Sequence, residues 1–267
     1  MQIQFTKMNG AGNDFVLIDN RDGSVTLSRE QIAKLCHRQR GVGADGLILL
    51  RNAKGDGDWA WDFYNADGSD AEMCGNGARC FASYIQHTIG GKGELSFETA
   101  CGLIRATIGD TTVTVNLTDP HSLELNQSIA TSAGEQIVHS LNTGVPHAVL
   151  FVNDADAAMV ASLGDEIRHH DHFAPAGTNV NFVQTLSPGK IHVRTYERGV
   201  GETLACGTGV CASAILAAQL NDWPADVQVT VLGGDTLSVD FESDSEKFSN
   251  VQLTGPAQFV FEGTMAV

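Results

Sequence analysis

Basic side chains are scarce in this 267-residue chain: 16 Lys and Arg stand against 32 Asp and Glu, a formal charge of −16. So acidic a surface does not suit a nucleic-acid backbone or an anionic membrane. Its plain use is solubility. Long apolar runs are missing too, and nothing approaches the roughly 20 residues of a membrane span. Met1-Gln2-Ile3-Gln4-Phe5-Thr6-Lys7 is too polar for a signal peptide. Without such a signal, the six cysteines read as reduced thiols of a cytoplasmic protein rather than a disulfide framework. Their spacings, Cys74-x5-Cys80 and Cys206-x4-Cys211, lack the tight pairing of a structural zinc site. Cys36 and Cys101 sit in apolar contexts that predict core positions. No dinucleotide fingerprint and no lysine-bound pyridoxal site can be found. The expected partner is a small molecule, with no metal and no cofactor.

What is present centres on Glu197-Arg198-Gly199-Val200-Gly201-Glu202-Thr203-Leu204-Ala205-Cys206-Gly207-Thr208-Gly209. The small apolar run from Ala212 to Ala218 follows and reads as a buried helix. Cys206 is thereby expected at a helix N-terminus, where backbone N–H groups and the helix dipole favour a carboxylate or a thiolate. The same pattern occurs earlier, from Asn65 to Cys80: Cys74-Gly75-Asn76-Gly77 answers Cys206-Gly207-Thr208-Gly209. Asn65 and Glu197 each stand nine positions before their cysteine, and the two cysteines are 132 apart.

That offset runs through the chain. Gly12 matches Gly144, Phe15 matches His147, Gly102 matches Gly234, and Val115–Pro120 echoes Val251–Pro256 at a slightly larger offset. Strands are expected at Gln2–Phe5, Phe15–Ile18, Gly46–Leu50, Ala148–Val152 and Val180–Val183. Helices are expected from Arg29 to Arg38, with Ser28 as N-cap, and from Asp156 to Ile167. The pattern predicts two repeat halves, 1–120 and 133–256, joined by a polar link, 121–132. A last strand within 257–267 would complete the first half. The period is too long for a solenoid and fits gene duplication. The fold class expected is α/β (α+β), each half a strand-rich layer or barrel wrapped around a central helix.

Two thiols have a specific joint use. One takes a proton from a carbon and the other delivers one to the opposite face, inverting a stereocentre. Helix N-termini carrying Gly-Asn-Gly and Gly-Thr-Gly would bind the substrate carboxylate and absorb its growing charge. A Cys–His hydrolase using His147 is the rival class, but it has no use for a second thiol. The run His169-His170-Asp171-His172 looks metal-like, yet it reads as a solvated loop with no partner cluster.

At these residues the chain closely resembles the diaminopimelate epimerases, isomerases that interconvert LL- and meso-diaminopimelate on the route to lysine. The motifs are Lys7–Phe15, Arg40–Gly46, Asn65–Cys80, Gly177–Phe182 and Glu197–Ala212. The resemblance implies two similar halves, a homodimer and no cofactor. It implies Cys74 as proton donor and Cys206 as proton acceptor, with His147 and Glu197 supporting catalysis. Asn13, Asn65, Gly75, Asn76, Asn179, Glu197, Arg198, Gly207 and Thr208 would contact substrate. Val145 and Gly46 depart from it, since many members carry Asn at the first position and some Gln at the second. The proline racemases are similar in fold, share the two-thiol logic and supply the alternative reading within the isomerases, a proline racemase-like amino-acid racemase.

Overall fold

A computed structural model describes residues 2–71, 73–91, 93–244 and 247–267. It divides into two compact units, residues 1–115 with 255–267, and residues 116–254.

In the first unit β1 (Gln2–Gly10) and β2 (Asn13–Asp19) form an antiparallel hairpin. Ala11 and Gly12 close it at φ 57° and 88°, the two-residue turn whose twist suits a hairpin. Helix α1 (Arg29–Cys36) begins where the sequence marks it. Gln31 N–H donates to the Ser28 hydroxyl, and Ser28 N–H donates to the Gln31 side chain, a reciprocal cap. Next come β3 (Gly46–Asn52), β4 (Trp59–Asn65), α2 (Gly75–Ile89), β5 (Glu94–Thr99), β6 (Gly102–Ile108) and β7 (Thr112–Asn116).

The second unit holds β8 (His121–Thr131), β9 (Gly134–Asn142), β10 (Pro146–Phe151), α3 (Val160–Arg168), β11 (Asn179–Ser187), β12 (Lys190–Glu197) and the short β13 (Gly201–Thr203). Helix α4 (Gly207–Asn221), β14 (Asp226–Val231), β15 (Thr236–Asp244) and β16 (Lys247–Pro256) complete it. The final strand, β17 (Gln258–Ala266), lies antiparallel on β1 in the first unit.

Each unit repeats one pairing scheme. β1 to β7 pair in succession as antiparallel, parallel, antiparallel, parallel, antiparallel, antiparallel. The series β9, β10, β11, β12, β14, β15, β16 does the same. Strand β8 pairs with β9 as β17 pairs with β1.

The stretch 121–132, expected as a polar link, is therefore a correction: it is almost entirely strand β8. Leu123, Leu125, Gln127 and Ile129 alternate with exposed neighbours, the period-2 pattern of a half-buried strand. Its many polar residues belong to the solvent face. Helix α3 starts at Val160 rather than Asp156. The Asp154 carboxylate accepts from the N–H groups of Asp156 and Ala157, and Arg194 holds the carbonyls of Ala155 and Asp156. That local turn competes with helix. Cys101 is also corrected: it is exposed, in the turn between β5 and β6.

The central sheets are covered on both faces. Val16, Ile18, Leu47 and Leu49 pack with Ile32 and Leu35 of α1, while α2 packs on the other face, against β1, β2, β3 and β6. In the second unit Ala148, Leu150, Val180 and Phe182 pack with α3. Helix α4 is buried from Gly207 through Ala218 without a break, consistent with a central helix inside strands rather than an amphipathic surface one. Among the described residues no helix is long and apolar enough to cross a membrane.

Candidate active site

In each unit the cysteine singled out by the repeat is the N-cap residue of the central helix. Cys74 caps α2 and Cys206 caps α4, both with extended backbone. Each helix is 15 residues long. Both cysteines therefore sit where a helix leaves its first N–H groups without intrahelical acceptors, beside Gly75-Asn76 in one unit and Gly207-Thr208 in the other.

Around Cys74 the thiol donates to Asn13 Oδ1 at 3.3 Å and accepts from Gly77 N–H at 3.5 Å. The Asn13 carboxamide is fixed from behind, because its Nδ2 donates to Asp45 Oδ2 at 2.6 Å. Asp45 belongs to a charged cluster in which Arg38 bridges it to Asp14, and Lys7 Nζ lies 2.7 Å from Asp14. Burial alone would raise the Asp14 carboxyl. Hydrogen bonds from Arg38 and Lys7 outweigh it and hold the group at about 2. Asn76 is buried, and its Oδ1 accepts from the buried Arg79, which also donates to the carbonyls of Gly75 and Pro256. Asn65, exposed at the end of β4, donates to Ser69 Oγ and the Asp70 carbonyl.

Around Cys206 the partners form one buried line. Cys206 Sγ is 3.6 Å from Thr208 Oγ1, which is 2.9 Å from His147 Nε2. His147 Nδ1 is 3.1 Å from Asn181 Nδ2, and Thr195 Oγ1 donates to Asn181 Oδ1 at 2.9 Å. Burial, joined by the charge of Arg198, pushes the His147 imidazole down to about 3, so it is neutral at physiological pH. Elsewhere in this unit Arg198 N–H donates to Asn179 Oδ1 at 2.8 Å, its guanidinium donates to the Ala176 carbonyl, and Thr203 donates to Glu197 Oε1 at 2.6 Å.

Within each unit the structure joins some of the residues that the sequence singled out. Asn13 meets Cys74, Thr208 links His147 to Cys206, and Asn179 meets Arg198. Sequence reasoning missed Asp45, Asn181 and Thr195 as partners. Each lies on a strand or loop far along the chain, and only β-sheet register brings it to the helix end. At Gly46 an added Cβ would run into the Tyr64 carbonyl and the Phe63 ring, so that position faces packed atoms. Cys36 and Cys80 are inert, since burial pushes both thiols up to about 12. His169–His172 lie at the exposed end of α3 and in the turn after it. Among the described residues no group of three His, Cys, Asp or Glu is placed to hold a metal ion.

The fold recurs in solved structures, an epimerase among them. The chain superposes with a TM-score of 0.77 on a phenazine biosynthesis protein of the PhzF family from Bacillus anthracis, at 15% identity and covering 100% of both chains. A hydroxyproline epimerase from Agrobacterium vitis gives 0.75 at 19% identity, covering 100% of this chain and 93% of that one. Sequence narrows the class. The diaminopimelate epimerase family model matches residues 5–123 and 139–260, two stretches that parallel the internal repeat. The diaminopimelate epimerase of Hydrogenobaculum sp. is 44% identical over 98% of both chains. That of Aquifex aeolicus is 44% identical over 99% of this chain and 98% of its own. The chain belongs to the diaminopimelate epimerase family, a family of isomerases.

Proposed function

We propose that this protein converts LL-2,6-diaminopimelate to meso-diaminopimelate in lysine and cell-wall precursor biosynthesis, without a cofactor. Family membership supports the substrate. The observation that carries the mechanism is a cysteine at the N-cap of the central helix in each half, at matching positions. Cys206 as thiolate takes the α-hydrogen as a proton, leaving the electron pair on the α-carbon and its carboxylate. Cys74 as thiol gives its proton to the opposite face, so the two sulfurs end with exchanged protonation and nothing else is consumed. Helix-end N–H groups at Gly75, Asn76, Gly207 and Thr208 stabilise the carboxylate as it gains charge. Asn13, Asn65, Asn179, Glu197 and Arg198 complete the grip on the substrate, and His147 and Glu197 support the proton transfers.

The hydrolase alternative fits poorly. His147 reaches Cys206 only through Thr208, and an imidazole held near 3 does not form the thiolate–imidazolium pair that reaction uses. The halves 1–120 and 133–256, with 257–267 closing the first, are read as products of one duplicated gene. The protein is cytoplasmic and works as a homodimer. Phe259, Val260 and Phe261, three successive residues of β17 exposed at 43%, 55% and 48%, are the candidate contact.

Incubation in deuterated buffer with LL-diaminopimelate and, separately, L-proline tests the reading. Deuterium is expected at the α-carbon of diaminopimelate alone, and exchange into proline alone makes the protein a proline racemase. Cys74→Ala and Cys206→Ala should each lower epimerisation about 100- to 10,000-fold. Full turnover by either variant removes that cysteine from the mechanism.

A further inference from the structure

The two halves differ directly beneath their helix N-termini. In β2 and β3 the pairings Phe15 with Gly46 and Leu17 with Ile48 correspond to His147 with Asn179 and Val149 with Asn181 in β10 and β11. Ile48 pairs with Phe63 as Asn181 pairs with Thr195. The positions Phe15, Ile48 and Phe63 of one half are thus His147, Asn181 and Thr195 of the other. All six are buried. The first set is plain core: Phe15 and Phe63 meet edge to face at 6.0 Å, with Ile48 and Phe15 directly under Gly77. The second set occupies the matching place under Gly209. Buried polar groups are tolerated in such a place only when each finds a partner, and here each does.

The hydrogen bonds are directional. The Thr195 hydroxyl donates to Asn181 Oδ1, and the Ala148 carbonyl, which only accepts, fixes which amide atom is the nitrogen. Asn181 Nδ2 then donates to the Ala148 carbonyl and faces His147 Nδ1 at 3.1 Å. An amide nitrogen only donates, so Nδ1 must accept and the imidazole proton sits on Nε2. That proton goes to Thr208 Oγ1 at 2.9 Å, leaving the hydroxyl hydrogen of Thr208 to point at Cys206 Sγ, 3.6 Å away.

We propose that Asn181, braced by Thr195, is a positioning residue that holds His147 as the Nε2–H tautomer, so that the Thr208 hydroxyl donates to Cys206 and favours its thiolate. This rests on, and deepens, the reading in which Cys206 accepts the proton. A donor on the sulfur stabilises the charged form, so the polar trio readies one cysteine as base. The apolar trio of the other half supplies no such line to Cys74, whose thiol donates to Asn13 instead.

The test uses the full-length protein. Nitrogen-15 NMR of the His147 ring, assigned with His147→Phe, should show the neutral Nε2–H tautomer in the wild type. Site-resolved alkylation of Cys206 by iodoacetamide across pH, with Cys74 as internal control, reads the thiolate directly. Asn181→Asp offers an acceptor to Nδ1, reversing the line. The Cys206 profile should then move up by about one unit, a roughly tenfold loss of thiolate at neutral pH, with Cys74 unmoved and kcat falling more than KM. Thr195→Val should shift it the same way, and Thr195→Ser should restore it. An Nδ1–H or charged ring in the wild type overturns the proposal. So does an unchanged Cys206 profile in folded Asn181→Asp or, should that variant not fold, in Thr195→Val. If the tautomer and profiles behave as stated but diaminopimelate shows no α-exchange, the activity reading fails and the positioning role stands.

Discussion

An amide oxygen and a threonine hydroxyl act in opposite senses on the sulfur beside them. The Asn13 oxygen accepts from the Cys74 thiol, whereas in the proposed line the Thr208 hydroxyl donates to Cys206. Asn13 also marks where the halves part, because its counterpart is Val145, in the turn between β9 and β10. In the proposed site an isopropyl group at 145 would forgo one neutral hydrogen bond to substrate, about 0.5–1.5 kcal/mol. Val145→Asn is expected to change KM by roughly 2- to 10-fold with little change in kcat, while Asn13→Ala damages both. Steady-state kinetics on diaminopimelate decide this, and an unchanged KM for Val145→Asn would mean that position 145 does not face substrate.

At the scale of the element, the two capped helices are alike in length and start but not in what lies beneath them. An added Cβ at Gly77 would meet Ile48 and Phe15 at 3.3–3.4 Å, contacts that small shifts relieve. At Gly209 it would run into Asn181 Oδ1 and sit 3.2 Å from the His147 ring, both held by their hydrogen bonds. Gly209→Ala should therefore lose about 1–3 kcal/mol in urea denaturation, and Gly77→Ala distinctly less. Equal losses would show that the polar trio is as yielding as the apolar one.

For the whole molecule the same trio shapes the response to acid. His147 has a folded value near 3 against 6.5 unfolded. Below pH 6.5 the unfolded chain binds a proton that folded His147 refuses, so stability is full above that pH and falls toward 3. His139, lowered by burial, adds a contribution of the same sign. Asp14, at about 2 against 3.8, adds stability that is complete above 3.8 and lost as pH falls through 2. Denaturation midpoints should thus decline as pH falls from about 6.5 toward 3, and His147→Phe should flatten much of that decline; an unaltered slope would show that His147 is not held neutral. The apolar strip on β17 makes a second prediction at this scale. Phe261→Glu should shift a dimer toward monomer in sedimentation, and an unchanged mass would place the contact elsewhere.

Much of this protein is legible in one dimension because its repeat prints the same local physics twice. A cysteine before Gly-x-Gly and a small apolar run announces a capped, buried helix. Ser28 with Gln31 announces the start of α1, and continuous apolar runs at Phe15–Ile18 and Gly46–Leu50 announce strands covered on both faces. Those signals span a few residues, so sequence alone determined where α1, α2 and α4 begin and which two cysteines cap the central helices. It misjudged β8 because a half-exposed strand is polar at every second position, and Cys101 because apolar neighbours do not tell a turn from a core. Only the tertiary structure decided what stands behind each sulfur. Asp45 reaches Asn13 across 32 positions, and Asn181 reaches His147 across 34. Hydrogen-bond direction depends on such partners, which strand register brings together and chain neighbourhood does not.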